Sequence, residues 1–246
     1  MKRLAFALAL GLASPALSTD LTAMSDTERD AFRAEIRAYL LDNPEVLMEA
    51  IGVLENRQAA AEAAADQQMA INNLDLIQND PGSWVGGNPD GDITVVEFLD
   101  YRCGYCKRAF DEVEQLISTD GNIRLVIKEF PILGEQSTLA SQFAVSVLQL
   151  HGDDTYKFVH DTLMTMRSDI TPDVLSQIAS TVGLDPAPIF EHMSSDEVTN
   201  VLRTNMELAQ RLNISGTPTF VIEDELVRGY VPLDTMIAMV DAQRAD

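Results

Sequence analysis

The stretch ITVVEFLDYRCGYCKRAFDEVEQLIS (residues 93–118) restricts the fold more than any other part of the chain. Ile93 to Asp100 make a nearly continuous apolar, β-branched run, the pattern of a strand buried on both faces. Cys103 onward reads as a helix, and NIRLVIKEF (122–130) reads as a second buried strand. Residues 93–130 therefore form a strand-helix-strand unit.

Cys103 and Cys106, the only two cysteines among 246 residues, sit at the junction of strand and helix. A helix N-terminus offers backbone N–H groups without partners. Cys103 is expected there, exposed, with Cys106 one turn in beneath it. The thiolate is the reactive form, and its population follows the pKa. The helix dipole supplies roughly 0.3–1 kcal/mol, less than one unit at about 1.36 kcal/mol per pKa unit. Hydrogen bonds from the Cys106 N–H or thiol must do more. Arg102, Lys107 and Arg108 add positive charge nearby, and the intervening Gly104 and Tyr105 offer no imidazole.

Such a pair can staple, bind metal or exchange electrons. Zinc needs two more ligands, and His151, His160 and His192, spaced by 9 and 32, do not match finger spacing. A 103–106 disulfide closes too small a loop to restrict the unfolded chain much. The redox-active disulfide remains, with no metal or other cofactor implied. Glu97 fits it, since a carboxylate in an otherwise apolar strand is costly to bury alone. Six residues before Cys103, it can lie under the dithiol and move protons to or from Cys106, with Lys128 of the facing strand as counter-charge. The alternative is that Glu97 reaches solvent at a strand end.

The opening MKRLAFALALGLASPALSTD has a basic start, a short apolar core and small residues at Ala16 and Ser18, the pattern of a signal peptide (1–18) cleaved near Ser18/Thr19. Export places the cysteines where disulfides persist. The remaining 228 residues, in a chain 46% hydrophobic overall, can bury a core without staples. They carry 15 basic against 39 acidic residues, a net charge of −24, which excludes nucleic-acid and anionic-membrane roles.

Residues 19–80 read as a helical N-terminal segment. Ser25 and Glu28 form a capping box, Phe32, Ile36, Tyr39 and Leu40 share a face, and Leu47, Ile51 and Leu54 continue the stripe. The stripe either packs on the main domain or meets copies of itself. The turn-rich NDPGSWVGGNPDGD (79–92) marks a boundary. Residues 134–196 are helical throughout. Beyond a further long helix, TPTFVIEDELVRGYV reads as two short strands, with a last helix from Pro232.

The CxxC at a strand-helix junction, the Gly216-Thr217-Pro218 before a late strand and the closing helix together resemble the thioredoxin superfamily. The helical block at 134–196, inserted between 81–133 and 197–246, resembles its DsbA-like branch. That likeness implies an α/β thioredoxin fold with an inserted helical domain, and a helical extension before it. It implies a cis Thr217-Pro218 bond beside the dithiol and a Thr217 backbone that pairs with a substrate strand. Gly104, Tyr105, Thr217 and Pro218 would then bind substrate, Cys103 attack and Cys106 resolve. Gly-Tyr between the cysteines and Thr217 before the proline resemble DsbC-type isomerases rather than DsbA-type oxidases. The segment RAYLLDNPEVLMEAI is similar to the oligomerising extension of ScsC-like proteins, which implies a homotrimer through residues 25–78. The resemblance implies a periplasmic disulfide isomerase or reductase. It would act on unfolded or misoxidised secreted proteins and draw electrons from a membrane thiol reductase. A monomeric dithiol oxidase and a Cu(I)-binding or holdase protein of the copper-stress type are the alternatives.

Overall fold

The computed structural model describes residues 22–245, so the segment expected to be a signal peptide (1–18) lies outside the described residues. The chain divides into two compact units, Met1–Ala59 and Ala60–Asp246. In the first, α1 (Asp26–Asp42) starts at Ser25, whose hydroxyl accepts the Glu28 N–H while Glu28 accepts the Ser25 N–H at 2.9 Å. This is the capping box that the sequence predicts. Asn43 stands at the other end of α1, where its backbone and side-chain N–H groups both donate to the Tyr39 carbonyl. The next helix, α2, spans Glu45–Asn72. No residue of α1 is buried, and Phe32, Ile36, Tyr39, Leu47, Ile51 and Leu54 are all exposed.

The second unit begins within α2 and continues through α3 (Leu74–Gln78), β1 (Trp84–Gly87), β2 (Ile93–Leu99), α4 (Gly104–Asp120) and β3 (Ile123–Glu129). Four helices follow: α5 (Glu135–His151), α6 (Asp153–Thr165), α7 (Pro172–Thr181) and α8 (Pro186–His192). The chain then runs through α9 (Asp196–Arg211), β4 (Thr219–Ile222), β5 (Glu225–Arg228) and α10 (Leu233–Ala245). The strands form one sheet in the order β1-β3-β2-β4-β5, parallel only between β2 and β3.

β2 is buried on both faces, so its side chains alternate between two cores. Val95 and Leu99 face α4, α10 and the helical block 135–192; Val96 and Phe98 face α9, α3 and the end of α2. β1 and α3 are additions to the sequence expectation. Trp84 pairs with Ile127 at the sheet edge, and a Cβ on Gly86 would stand 1.9 Å from the Trp84 ring, so the missing side chain at Gly86 is what leaves room for the indole. Within the segment expected at 19–80, Ala70 and Ile77 are fully buried in the second core, and Ala60 onward belongs to the second unit.

Candidate active site

β2 delivers the chain to the dithiol through Asp100, Tyr101 and Arg102. Asp100 is buried, and its carboxylate accepts three backbone N–H groups, from Arg102 (2.7 Å), Ile132 (2.8 Å) and Leu133 (3.0 Å). Its carbonyl accepts the Cys103 N–H at 3.0 Å. One side chain thus ties the approach to the cysteines onto the loop after β3. Nothing in the sequence signalled this grip, because two of its three partners, Ile132 and Leu133, lie 32 and 33 positions away.

Cys103 occupies the N-cap of α4 in extended conformation, and its carbonyl accepts the Lys107 N–H. Both cysteines are free thiols. Cys103 is less open than expected: only 7% of it is exposed. The Thr217-Pro218 bond is cis, and the Cys103 thiol donates to the Thr217 carbonyl at 3.1 Å. Gly104 and Tyr105 form the rim, and Tyr105 is well exposed.

The electrostatics separate the two sulfurs. Cys103 falls to about 5, first because the Cys106 thiol donates to its thiolate, then through the Thr217 side chain and the N–H groups of Cys106 and Tyr105. Burial works against these donors without cancelling them. Cys106 is fully enclosed and moves far upward, through burial first, then its hydrogen bond to Cys103 and the charge of Glu97. The basic neighbours are engaged elsewhere. Arg102 faces Asp169 at 3.5 Å, Lys107 donates to the carbonyls of Leu163 and Met166, and Arg108 lies over the Tyr230 ring at 4.1 Å. Hydrogen bonds, not basic side chains, hold the Cys103 thiolate.

Glu97 is buried, on the α4 face of β2. Burial first, then the charges of Cys103, Glu114 and Glu129, push its carboxyl up to about 8. No protein group donates to or accepts from its Oε1. The solvent-facing alternative is therefore wrong, and so is the expected counter-charge. In the parallel register Phe98 is opposite Lys128, while Glu97 is opposite Ile127, so Lys128 stands on the other face. Its ammonium, fully buried, pairs with Asp80 at 2.9 Å and donates to the Leu76 carbonyl at 3.2 Å. Burial lowers the Lys128 pKa against the pull of Asp80.

A second buried carboxylate was missed. Glu129, the last residue of β3, accepts hydroxyl hydrogen bonds from Tyr101 and Tyr156 on Oε1 and from Ser141 on Oε2, each at 2.7 Å. Burial pushes it up to about 7 while these donors pull it down. His160 lies 3.1 Å from the Tyr101 hydroxyl through Nδ1 and is pushed down to about 3, by burial first and then by Lys157. The only sequence signal was the Lys-Glu pair ending an apolar strand.

A low-pKa thiolate at a helix start, above an enclosed thiol and a protonated carboxyl, is built for thiol-disulfide exchange. Comparison with known proteins agrees. The DSBA-like thioredoxin domain family matches residues 94–240, and the copper resistance protein ScsC N-terminal domain matches residues 28–61. A thioredoxin-like oxidoreductase from Silicibacter pomeroyi superposes with a TM-score of 0.66 at 43% identity, covering 70% of this chain and 98% of that one. A linker-deletion mutant of Proteus mirabilis ScsC also gives 0.66, at 27% identity, over 92% and 99% of the two chains. Disulfide bond formation protein D of Bacillus subtilis is 25% identical over 69% of this chain and 82% of its own length. The chain belongs to the DsbA-like family of thiol-disulfide oxidoreductases and carries, ahead of the thioredoxin domain, an N-terminal domain of the ScsC kind.

Proposed function

We propose that this oxidoreductase works as a disulfide isomerase or reductase on misoxidised exported proteins in the periplasm, as a homotrimer joined through residues 25–78. The observation that carries the direction is the apolar stripe of Phe32, Ile36, Tyr39, Leu47, Ile51 and Leu54, which the first unit leaves exposed. Copies of the same helices would cover it and would surround a client with several dithiols. A Cys103 pKa of about 5 suits this use, since it lies between thioredoxin at about 7 and DsbA at about 3.5. Among the described residues no helix is long and apolar enough to cross a membrane.

In this mechanism the Cys103 thiolate attacks one sulfur of a client disulfide. A Cys103–client disulfide forms, the other client sulfur leaves as a thiolate, and Glu97 supplies its proton. The Cys103 charge that helped hold that proton is then gone. Isomerisation ends when a client thiolate attacks the mixed disulfide and Cys103 leaves as thiolate. Otherwise the Glu97 carboxylate takes the Cys106 proton, and Cys106 attacks the Cys103 sulfur. The client departs reduced, leaving a Cys103–Cys106 disulfide that needs two electrons from a membrane thiol reductase and one proton to return to the Cys103 thiolate and Cys106 thiol. Gly104, Tyr105, Thr217 and Pro218 form the rim against which an extended client segment lies.

Refolding of a scrambled multi-disulfide protein tests the direction, using the pre-reduced full chain beside a Leu47→Glu, Ile51→Glu, Leu54→Glu variant. Restoration of native pairing by the full chain but not the variant is expected. If neither reshuffles when reduced, while both rapidly oxidise a reduced client when supplied with the Cys103–Cys106 disulfide formed, the chain is a monomeric oxidase.

A further inference from the structure

Glu97 and Glu129 form a buried pair on one sheet face. Glu97 is opposite Ile127 across β2 and β3, and Glu129 lies two positions further along β3, on the same side. Both are almost wholly buried, and among the described residues neither has an ion-pair partner. Two like charges at this spacing do not ionise together easily. Their surroundings differ sharply. Glu129 receives three hydroxyl donors over its two oxygens, whereas Oε1 of Glu97 has no protein partner.

An ionised carboxylate only accepts, so it suits three converging O–H groups. A protonated Glu129 would have to donate, and one of the three hydroxyls would lose its acceptor. With the Tyr101 hydrogen committed to Glu129, the neutral His160 ring donates through Nδ1 to the Tyr101 oxygen. The chain of donors thus runs from the inserted helices toward Glu129.

We propose that Glu129 is a positioning residue for the dithiol chemistry: held by Tyr101, Tyr156 and Ser141, it keeps the negative charge of the carboxylate pair and leaves the proton on Glu97. The repulsion makes Glu97 a stronger base, able to take the Cys106 proton once its own has gone to the departing client thiolate. The upward displacement of Glu97 beyond Glu129 agrees with this order. The groups facing Glu97 are Cys103, Cys106 and Glu114 of the α4 region, Glu129 of β3 and Tyr156 of α6. Those facing Glu129 are Tyr101, Tyr156, Asp100 and, through Tyr101, His160. No cation among them would remove the repulsion.

The test is a titration of the full-length reduced protein by NMR, with glutamate side-chain carboxyl carbons labelled and the signals assigned through Glu97→Gln and Glu129→Gln. In the wild type Glu129 ionises at lower pH than Glu97. In Glu129→Gln the Glu97 midpoint falls by about one pH unit. A purely structural Glu129 would lower stability without moving that midpoint. Should Glu129→Gln fail to fold, Tyr156→Phe decides: loss of one donor must raise the Glu129 midpoint. An unmoved Glu97 midpoint in folded Glu129→Gln, an unmoved Glu129 midpoint in Tyr156→Phe, or Glu97 ionising first, overturns the proposal. The proposal rests on Glu97 as proton carrier. Because the titration uses no client, its failure stays separate from that role, which client turnover by Glu97→Gln reports.

Discussion

Thr217 and Cys103 lie 114 positions apart in the chain, and the carbonyl of one meets the sulfur of the other at 3.1 Å. The Thr217 side chain also supports the Cys103 thiolate. Thr217→Val keeps the shape and removes the hydroxyl. A hydrogen bond to a charged group contributes about 1.5 kcal/mol, so the Cys103 pKa should rise by about one unit. Thiolate ultraviolet absorbance against pH reads the shift directly.

The Cys106 thiol is the largest single support of that thiolate. Cys106→Ala should therefore raise the Cys103 pKa by more than Thr217→Val does. It also removes the resolving sulfur, so client proteins should accumulate as mixed disulfides on Cys103, visible on non-reducing gels. A Cys103 pKa lower than that of the wild type would overturn this account of the thiolate.

The two perturbed acids pull the pH dependence of stability in opposite directions. For Cys103 the folded pKa, about 5, lies below the ordinary 9.0, so the unfolded reduced chain binds more protons between those values. Its contribution is complete above about 9 and is lost as pH falls through about 5. For Glu97 the folded pKa, about 8, lies above the ordinary 4.5, so the folded state binds more protons. Its contribution is present below about 4.5 and is lost as pH rises through about 8. Glu97→Gln removes only the second effect. Urea unfolding of the reduced variant should show stability rising more steeply from pH 5 to 8 than in the wild type.

Asp100 satisfies three N–H groups at once. Asp100→Ala leaves the Ile132 and Leu133 donors without their acceptor and should cost about 3 kcal/mol. Asp100→Asn, which keeps one acceptor oxygen, should cost less. Denaturant midpoints compare the two.

Lys128 gives the control for the proton path. Removing one member of a buried pair costs about 3–5 kcal/mol because the other charge is left uncompensated, whereas replacing both by apolar side chains of similar volume is often close to neutral. Lys128→Met should be strongly destabilised, and Lys128→Met combined with Asp80→Leu much less so. The rate of Cys103 alkylation against pH should be the same in the double variant and wild type. A shifted profile would return Lys128 to the dithiol.

The strand-helix-strand core was legible because long apolar runs and a CxxC at their junction leave few other folds. The Ser25–Glu28 cap was legible because both partners lie within one turn. Lys128 misled for a physical reason. In strands apolar on both faces, alternation cannot say which charged residue shares a side with Glu97 without the pairing register. An offset of one residue sends the side chain to the opposite core. β1 was hidden because its Gly-Gly and Asn-Pro-Asp-Gly surroundings carry turn signals, while its pairing is a matter of backbone. The Glu129 cluster draws on β3, α5, α6 and the loop after β2, and no local pattern joins residues that far apart.

The rear of the catalytic sheet has a consequence for modularity. Ala70 and Ile77 are part of its core, and Asp80 holds the buried ammonium of Lys128. The stretch from Ala60 to Asp80 is thus inherited with the thioredoxin domain, whatever precedes it. A chimera joined at Ser83 would trade away the back wall of its own active domain, while one joined before Ala60 could exchange the arm and keep the enzyme whole.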